Sequence, residues 1–313
     1  MLRLPSLKEA LFCLAALVLW LTITALFLGF RAEHIVLACF IILCFAVTSY
    51  SRKLLVALLP FILFAISYDW MNLLPNYMVN PIHTDEVYDL EKTLFGIRET
   101  GALITPNEYF TQHTSATADF LSGLFYLCWV PVPVIFGLYL YFKGECLNYL
   151  HFALVFLLVN LLGFALYYIY PAAPPWYVSI YGFEPLTGTP GNVAGLGAFD
   201  AMTGLNVFDG LYARNSNVFA AMPSLHSAYP LVAFIYSLSR RTSIWWKIGL
   251  AIVTLGIWFA AVYSSHHYIL DVLGGIGVSL LGIFIFEFVL MPIPPFARFI
   301  QKYAGYIKPA GRN

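Results

Sequence analysis

Two short clusters of polar residues stand out in a chain that is otherwise apolar. The first contains Ser224 and His226 directly after a proline, and the second contains His267 and Asp271. Residues four apart on a helix project from one face. The carboxylate of Asp271 can therefore fix the tautomer of the His267 imidazole and support a positive charge on it. A nucleophile or general base needs such support, so the spacing predicts His226, His267 and Asp271 as catalytic residues.

The first cluster favours an anionic ligand. Pro223 suits the first turn of a helix, which would place Ser224 and His226 at a helix start, where free N–H groups and the helix dipole attract negative charge. Arg214 is the basic side chain near the clusters, so Ser224 and Arg214 are predicted to bind phosphate. The sequence contains no acidic cluster and no set of His and Cys residues with the spacing of metal ligands. It therefore implies no metal and no other cofactor.

The apolar composition indicates that these clusters belong to a membrane protein. Of 313 residues, 61% are hydrophobic and 10% are charged, whereas soluble domains have about 25% charged residues. The formal net charge is zero, and a nucleic-acid partner would require a basic face. The composition excludes that partner and predicts an all-α, polytopic transmembrane bundle in a lipid bilayer.

About eight apolar runs are predicted to be spanning helices, each needing about 20 residues. The second run is short. The runs are approximately 10–30, 35–50, 54–74, 118–142, 147–170, 222–239, 244–263 and 268–291. This pattern predicts two N-terminal helices in 1–53, a six-helix catalytic core in 54–291 and a cytoplasmic tail in 292–313.

Twelve of the sixteen Lys and Arg residues fall on the side of the two termini. The positive-inside rule then places both termini in the cytoplasm. The two polar clusters and the two long loops, 75–117 and 171–221, are expected on the outer face. Short tails and the absence of a glycosylation sequon favour a bacterial inner membrane with a periplasmic active site over a Golgi-type membrane.

The two long loops are predicted to be structured. Val87, Leu90, Leu94 and Ile97 recur at helical spacing, which indicates a short interfacial helix. This helix could be a cap over the bundle or a gate for the substrate. The Pro- and Gly-rich second loop is expected to roof the site, because its backbone groups need protein or water as partners.

The two clusters resemble motifs of the type 2 phosphatidic acid phosphatase superfamily. Pro-Ser-Leu-His at 223–226 is similar to its second motif, Pro-Ser-Gly-His, and His-X-X-X-Asp at 267–271 is similar to the end of its third motif. The resemblance covers about residues 54–291 and implies a six-helix core. In that core His267 would be the nucleophile, Asp271 would orient it, and His226 would act as acid and base.

Where the chain departs from the phosphatase pattern, its sequence resembles the inositol phosphorylceramide synthase branch. Ala261 stands where the phosphatases have Arg, and the branch-like segments are Leu225, 91–96, 170–177 and 266–268. This branch implies transfer of phosphoinositol, from phosphatidylinositol or another phospholipid donor, to ceramide through a phosphohistidine. A single nearby Arg also suits a phosphodiester better than a doubly charged monoester. The further candidate substrate contacts are Trp176, His266 and Tyr268.

Two other classes of function stay open at this point. A lipid phosphatase or pyrophosphatase would use water as acceptor and would release inorganic phosphate from phosphatidic acid without ceramide. A lipid transporter or scramblase would place polar groups on broken helices near the bilayer midplane. The polar clusters are instead expected at one interface, which argues against transport.

Overall fold

The computed structural model describes residues 5–213, 217–239 and 241–309. Within these ranges the protein is helical apart from one small antiparallel sheet, in which Ile97–Glu99 (β1) pairs with Ala102–Ile104 (β2). The α-helices are Leu7–Phe27 (α1), Ala32–Val47 (α2), Ser49–Trp70 (α3), Asp85–Phe95 (α4), Pro106–Gln112 (α5), Ala116–Tyr126 (α6), Pro131–Phe142 (α7), Cys146–Ile169 (α8), Pro175–Tyr181 (α9), Gly197–Thr203 (α10), Val207–Tyr212 (α11), Leu225–Ser237 (α12), Ile244–Tyr263 (α13), Ile269–Phe284 (α14) and Pro294–Ile307 (α15).

Every predicted apolar run is helical, which confirms the all-α membrane fold. Among the described helices, α1, α3, α8, α13 and α14 are long and apolar enough to cross a membrane, and α6 with α7 makes a sixth candidate bent by 45°. Helices α2 and α12 have 16 and 13 residues, fewer than the roughly 20 that a span requires. The predicted number of about eight full-length spans is therefore not reached.

The predicted single span at 118–142 is broken in the structure. Helix α6 ends at Tyr126, and α7 begins at Pro131. Proline lacks the N–H that would continue the helical ladder, and its ring clashes with the preceding turn. The break therefore lies where the sequence places a proline, although the apolar run continues through it.

Helix α8 is the centre of the bundle. Twelve of its 24 residues are buried, and α3, α7, α12, α14 and α15 pack against it. A helix that is apolar on all sides is expected in the middle of a bundle. Its aromatic contacts with other helices include Phe156 against Phe61 and Tyr229.

The segment predicted to be a cytoplasmic tail contains α15, which folds back onto the bundle. Ile300 and Ile307 are fully buried, and the hydroxyl of Tyr303 donates to the carbonyl oxygen of Val56 at 2.6 Å. The C-terminal segment is therefore part of the packed structure.

The two long loops meet over the end of the bundle that carries the polar clusters. Helix α4 confirms the predicted short helix, although Ile97 lies in β1 because α4 ends before Gly96. The second loop contains α9, α10 and α11. Parallel bridges join His83 to Ala172 and Ala172 to Ala220, so both loops are tied to the segment that leads into α12.

Candidate active site

His226 and His267 meet at the starts of α12 and α14. Nδ1 of His226 lies 3.2 Å from Nε2 of His267, within hydrogen-bond distance. Nδ1 of His267 lies 3.5 Å from Oδ2 of Asp271, which is an ion-pair contact without hydrogen-bond geometry. His267 is 5% exposed and Asp271 is fully buried. The structure thus brings together the three predicted catalytic residues, in the order His226, His267, Asp271.

His267 stands just before α14 and not on it. Tyr268 is the N-cap residue of α14, and its N–H donates to Oδ2 of Asp271 at 2.9 Å. The pairing of His267 with Asp271 therefore comes from a tight turn into the helix, where the sequence analysis assumed a shared helical face. Asn107, which is buried, donates to the carbonyl oxygens of His267 at 2.9 Å and Val262 at 2.8 Å. These two bonds hold the turn in place.

Backbone contacts hold the starts of the two helices together. The N–H of Ser224 donates to the carbonyl oxygen of Asp271 at 2.8 Å. Gly275 permits this approach, because a Cβ at that position would collide with the carbonyl oxygen of Ser224. Leu225, where the related motif has glycine, fills the space left by Gly163 on α8.

Ser224 is the N-cap residue of α12. Its Oγ accepts from the N–H of Ser227 at 3.3 Å and from the hydroxyl of Ser227 at 3.0 Å. The residue is fully buried. The helix begins at Leu225, so Pro223 precedes the cap and does not occupy the first turn as predicted. The hydroxyl of Ser224 still has a proton to donate, and its binding to phosphate stays a prediction.

A cavity of about 490 Å³ opens onto the imidazoles, within the usual range for ligand pockets of about 300–1,000 Å³. Trp176 of α9 lines it and is held by a backbone hydrogen bond to Ser265 at 3.0 Å. The second loop thus forms part of the cavity wall, as predicted. The other aromatic residues that line the cavity are Trp20, Tyr68, Tyr126, Trp129, Tyr167, Phe208 and Tyr212.

Aromatic rings fix the orientation of His226. The ring of Tyr126 stacks on it with centroids 4.8 Å apart, and the indole of Trp129 lies 4.5 Å away. Both aromatic residues come from the end of α6 and the break before α7. The bend between these helices therefore supplies packing for the His226 imidazole.

His266 lines the cavity as a neutral imidazole. Its ring stacks on Tyr212 at 4.4 Å, and its Nε2–H donates to the carbonyl oxygen of Val193 at 3.0 Å. Burial, with a smaller effect of His267, lowers the pKa of His266 to about 3. With Nε2 as the donor, Nδ1 is an acceptor, so His266 can receive a hydrogen bond from a substrate hydroxyl.

Tyr268 points away from the cavity. It is extended in backbone conformation, and successive residues of an extended chain face opposite sides. With His267 on the cavity, Tyr268 packs instead with Val87 and Ala172. Tyr268 was predicted to contact the substrate, but its side chain does not line this cavity. The other predicted phosphate ligand, Arg214, lies outside the described residues.

Glu91 supports the site although the sequence analysis assigned it no role. It is fully buried, and its two carboxylate oxygens accept from the N–H groups of Ile269 at 2.9 Å and Leu270 at 3.0 Å. Burial raises the pKa of Glu91 to about 7, against the effect of these two donors. The sequence contains one signal for the burial of Glu91. It is four residues from Val87 and therefore shares the buried face of α4.

The geometry indicates which ring nitrogen of each histidine carries a proton. A carboxylate beside Nδ1 of His267 favours a proton on that nitrogen, which leaves the lone pair on Nε2 for attack. Nδ1 of His226 is then the donor in the contact between the rings. Among the described residues, no group of three or more His, Cys, Asp or Glu side chains could hold a metal ion. The fold and the site together define an integral membrane enzyme with a two-histidine centre.

The chain belongs to the PAP2 superfamily, whose family profile matches residues 98–285. The phosphoinositol dihydroceramide synthase of Bacteroides thetaiotaomicron is 54% identical over 305 residues, which cover 97% of this chain and 100% of that protein. The inositol phosphorylceramide synthase of Candida albicans is 32% identical over 177 residues, 52% of this chain and 35% of that one. The catalytic subunit of the Saccharomyces cerevisiae enzyme is 31% identical over 137 residues, 42% of this chain and 31% of that one. No solved structure matches.

These relatives confirm the predicted superfamily and the resemblance to the inositol phosphorylceramide synthase branch, and they confirm that the chain is an enzyme. The family profile contains both polar clusters and the second loop. Helices α1 to α3 lie outside the profile, but the alignment with the Bacteroides protein extends over nearly the whole chain.

Proposed function

We propose that this enzyme transfers phosphoinositol from phosphatidylinositol to a ceramide-type lipid, giving inositol phosphorylceramide and diacylglycerol. The observation that carries the proposal is the contact of His226 Nδ1 with His267 Nε2 on a cavity, backed by Asp271. The names of the relatives support the substrates. The protein that is 54% identical is named for dihydroceramide, and the Candida protein for inositol phosphorylceramide.

In the first step Nε2 of His267 attacks the phosphorus of the donor lipid. A P–N bond forms, and the bond from phosphorus to the diacylglycerol oxygen breaks. His226, which binds the anionic donor lipid as an imidazolium, donates its Nδ1 proton to the departing oxygen and becomes neutral, while Asp271 stabilises the positive charge on the His267 ring. Phosphoinositol is then bound covalently to His267.

In the second step the ceramide hydroxyl attacks the same phosphorus. His226 now accepts the hydroxyl proton, which restores the proton it gave in the first step. The P–N bond breaks, and its electron pair returns to Nε2 of His267. Protons and charge therefore balance over the two steps, and the enzyme returns to its starting form.

The charge of the cavity suits a phosphodiester. Among the described residues that line it, Arg31 is the one Lys or Arg. A phosphomonoester carries close to two negative charges and benefits from several fixed cations. Ala261, where the phosphatase pattern has Arg, is fully buried in α13. The helix start of α12, Ser224 and Arg214 would complete the phosphate site.

The test uses purified protein in lipid nanodiscs with inositol-labelled phosphatidylinositol and ceramide. Wild-type protein should form labelled inositol phosphorylceramide only when ceramide is present. His267→Ala should abolish transfer, and Asp271→Asn should slow it by about 10³- to 10⁴-fold, as in other carboxylate–histidine sites. His113→Ala is the control, because His113 is 45% exposed and pairs with Glu99 away from the cavity lining.

Undiminished transfer by both catalytic variants would reject the mechanism. Release of water-soluble inositol phosphate at the same rate with and without ceramide would show that water is the acceptor. Release of inorganic phosphate from phosphatidic acid would assign the enzyme to the lipid phosphatases instead.

A further inference from the structure

A further polar cluster, the Arg31–His34–Asp69 triad, lies at the start of α2 and the end of α3. Asp69 pairs through Oδ1 with the guanidinium of Arg31, and its Oδ2 is 3.0 Å from Nε2 of His34. The backbone N–H of Arg31 donates to Nδ1 of His34 at 3.1 Å. Because Nδ1 is the acceptor, the proton of neutral His34 is on Nε2 and is donated to Asp69. His34 is 5% exposed, whereas the side chains of Arg31 and Asp69 are 36% and 20% exposed.

The triad lines the same cavity as the catalytic imidazoles. Arg31, His34 and Asp69 are among the residues that line it, and so are His226 and His267. A phosphorus atom held at the imidazoles would therefore have its substituents inside a cavity that the triad also borders. The chemical steps of the transfer do not use the triad, so its polar groups are available for recognition.

The hydrogen bonds of the triad select the kind of group that it can bind. Both oxygens of Asp69 already accept from donors within the triad. Nε of Arg31 is buried and has no hydrogen-bond partner among the described residues. A lone buried donor requires an acceptor. An ammonium head group has only donors and cannot supply one, whereas a hydroxyl both accepts and donates.

The charge of this wall argues against a phosphate subsite. Asp69 neutralises Arg31, and Glu33 also lines the cavity. The two acidic residues therefore outnumber the one basic residue, which disfavours a phosphate here. An uncharged ring that bears several hydroxyls is the ligand that fits both the charge and the unpaired donor. Trp20, which lies edge-on to His34 at 6.1 Å, adds an apolar surface beside the polar groups.

We infer that the Arg31–His34–Asp69 triad is the subsite that binds the polyol head group of the donor lipid while its phosphorus lies at His226 and His267. This inference rests on the proposed function, since it assigns the head group of the same substrate. It makes helices α1 to α3 a specificity element of the enzyme, in addition to membrane anchors.

The experiment measures binding without turnover, in His267→Ala protein in nanodiscs. The probes are short-chain phosphatidylinositol and short-chain phosphatidylmethanol, which have the same single charge but differ in head-group hydroxyls. We expect phosphatidylinositol to bind more tightly. Arg31→Lys retains the charge but lacks Nε, and we expect it to weaken phosphatidylinositol binding by about 10- to 100-fold while leaving phosphatidylmethanol within about twofold. Arg241→Lys is the matched control, because Arg241 pairs with Glu145 away from the cavity lining.

Equal affinity for the two lipids in the His267→Ala protein would overturn the inference whatever the variants do, including the case in which Arg31→Lys fails to fold. Equal weakening of both lipids would also overturn it, because a phosphate contact or a structural role would act on both. The transfer assay on protein with His267 intact decides the proposed function separately. Loss of head-group selectivity with transfer retained rejects only the subsite, and selectivity without transfer rejects only the reaction.

Discussion

The two imidazoles of the candidate site differ in their neighbours, and their proposed roles follow from this difference. His267 has Asp271 3.5 Å from Nδ1, and a carboxylate there supports the positive charge that builds on a nucleophilic ring. His226 packs against Tyr126 and Trp129 and touches His267 through Nδ1. It is therefore placed to exchange a proton with an oxygen bound to the phosphorus that His267 attacks.

His226→Gln should slow the first step by about 10²- to 10⁴-fold with phosphatidylinositol, the usual range for loss of a general acid. With inositol 4-nitrophenyl phosphate the loss should be below about tenfold, since nitrophenolate departs without protonation. The measurement is the single-turnover burst of nitrophenolate compared with the burst of diacylglycerol. An equal loss with both donors would contradict the role of His226 as the acid.

The residues of the candidate site could be selected from the sequence, but the residues that hold them in place could not. His226, His267 and Asp271 occur in short motifs whose spacing carries chemical meaning. Glu91 contacts the backbone at Ile269 across 178 positions of the chain, and Asn107 contacts His267 across 160. Such contacts depend on the packing of loops over the bundle, which local spacing does not encode.

At the scale of elements, the site depends on how α4 and α12 meet the start of α14. Glu91 of α4 caps the first N–H groups of α14, and Ser224 of α12 donates to the carbonyl of Asp271. A helix start leaves N–H groups without intrahelical partners, so an acidic residue from another element can hold it in place. Together with Asn107 of α5, these two elements position the His267–Asp271 turn.

The Glu91 cap predicts a pH-dependent stability. The pKa of Glu91 is raised from 4.5 to about 7 in the folded protein. Its contribution to the free energy of unfolding is therefore complete below about pH 4.5 and falls as the pH rises to about 7, by up to roughly 3 kcal/mol. Glu91→Gln lacks this titration. The thermal midpoint of wild type relative to Glu91→Gln should be higher at pH 5 than at pH 8, and a difference that is the same at both pH values would refute the raised pKa.

Gly275→Ala should separate the starts of α12 and α14, because the added Cβ collides with the carbonyl of Ser224. Overpacking of this kind costs about 1–3 kcal/mol of unfolding free energy, and a shift near 1 Å between catalytic groups costs about 10²-fold in rate. Gly277→Ala is the control on the same helix, since a Cβ there meets nothing within 4 Å. Stability and transfer rate are compared for both variants, and equal behaviour of the two would contradict the proposed contact.

At this scale, the presence of helices could be predicted better than the residues at which they begin and end. Apolar runs predict helices, and every run is helical, but runs do not show where a helix stops. The break before Pro131 and the short α12, which starts only after the Ser224 cap, both come from local backbone chemistry within a continuous apolar stretch. For this reason fewer of the described helices reach spanning length than there are apolar runs, while the fold class is right.

At the scale of the whole molecule, several distant parts of the chain together form the cavity. Helices α1 to α3, the α6–α7 bend and the second loop all contribute to its lining together with α12. A contribution of the loop could be predicted from the sequence. The contribution of α1 and α2, which were predicted to lie outside the catalytic core, could not, because their contact with the core is set by packing between helices far apart in the chain. Because these parts line one cavity, the proposed head-group subsite borders the same cavity as the two imidazoles.

The proposed orientation, with a periplasmic site and cytoplasmic termini, predicts a labelling pattern in bacterial spheroplasts. Thr187 in the second loop and Gln301 on α15 are both exposed. A membrane-impermeant maleimide should label Thr187→Cys in intact spheroplasts and Gln301→Cys only after permeabilisation. The unmodified chain, with its five cysteines, provides the background. The opposite pattern would reverse the orientation inferred from the distribution of Lys and Arg.

The most direct measurement on the two-step mechanism is isolation of the covalent intermediate. Wild-type protein is mixed with phosphatidylinositol labelled at phosphorus, without ceramide, and quenched rapidly at alkaline pH. Peptide mass spectrometry should then find phosphoinositol on His267, and ceramide added before the quench should remove it. His267→Ala should carry no label. Label on another residue, or ceramide-dependent transfer with no labelled protein at any time, would contradict nucleophilic attack by His267.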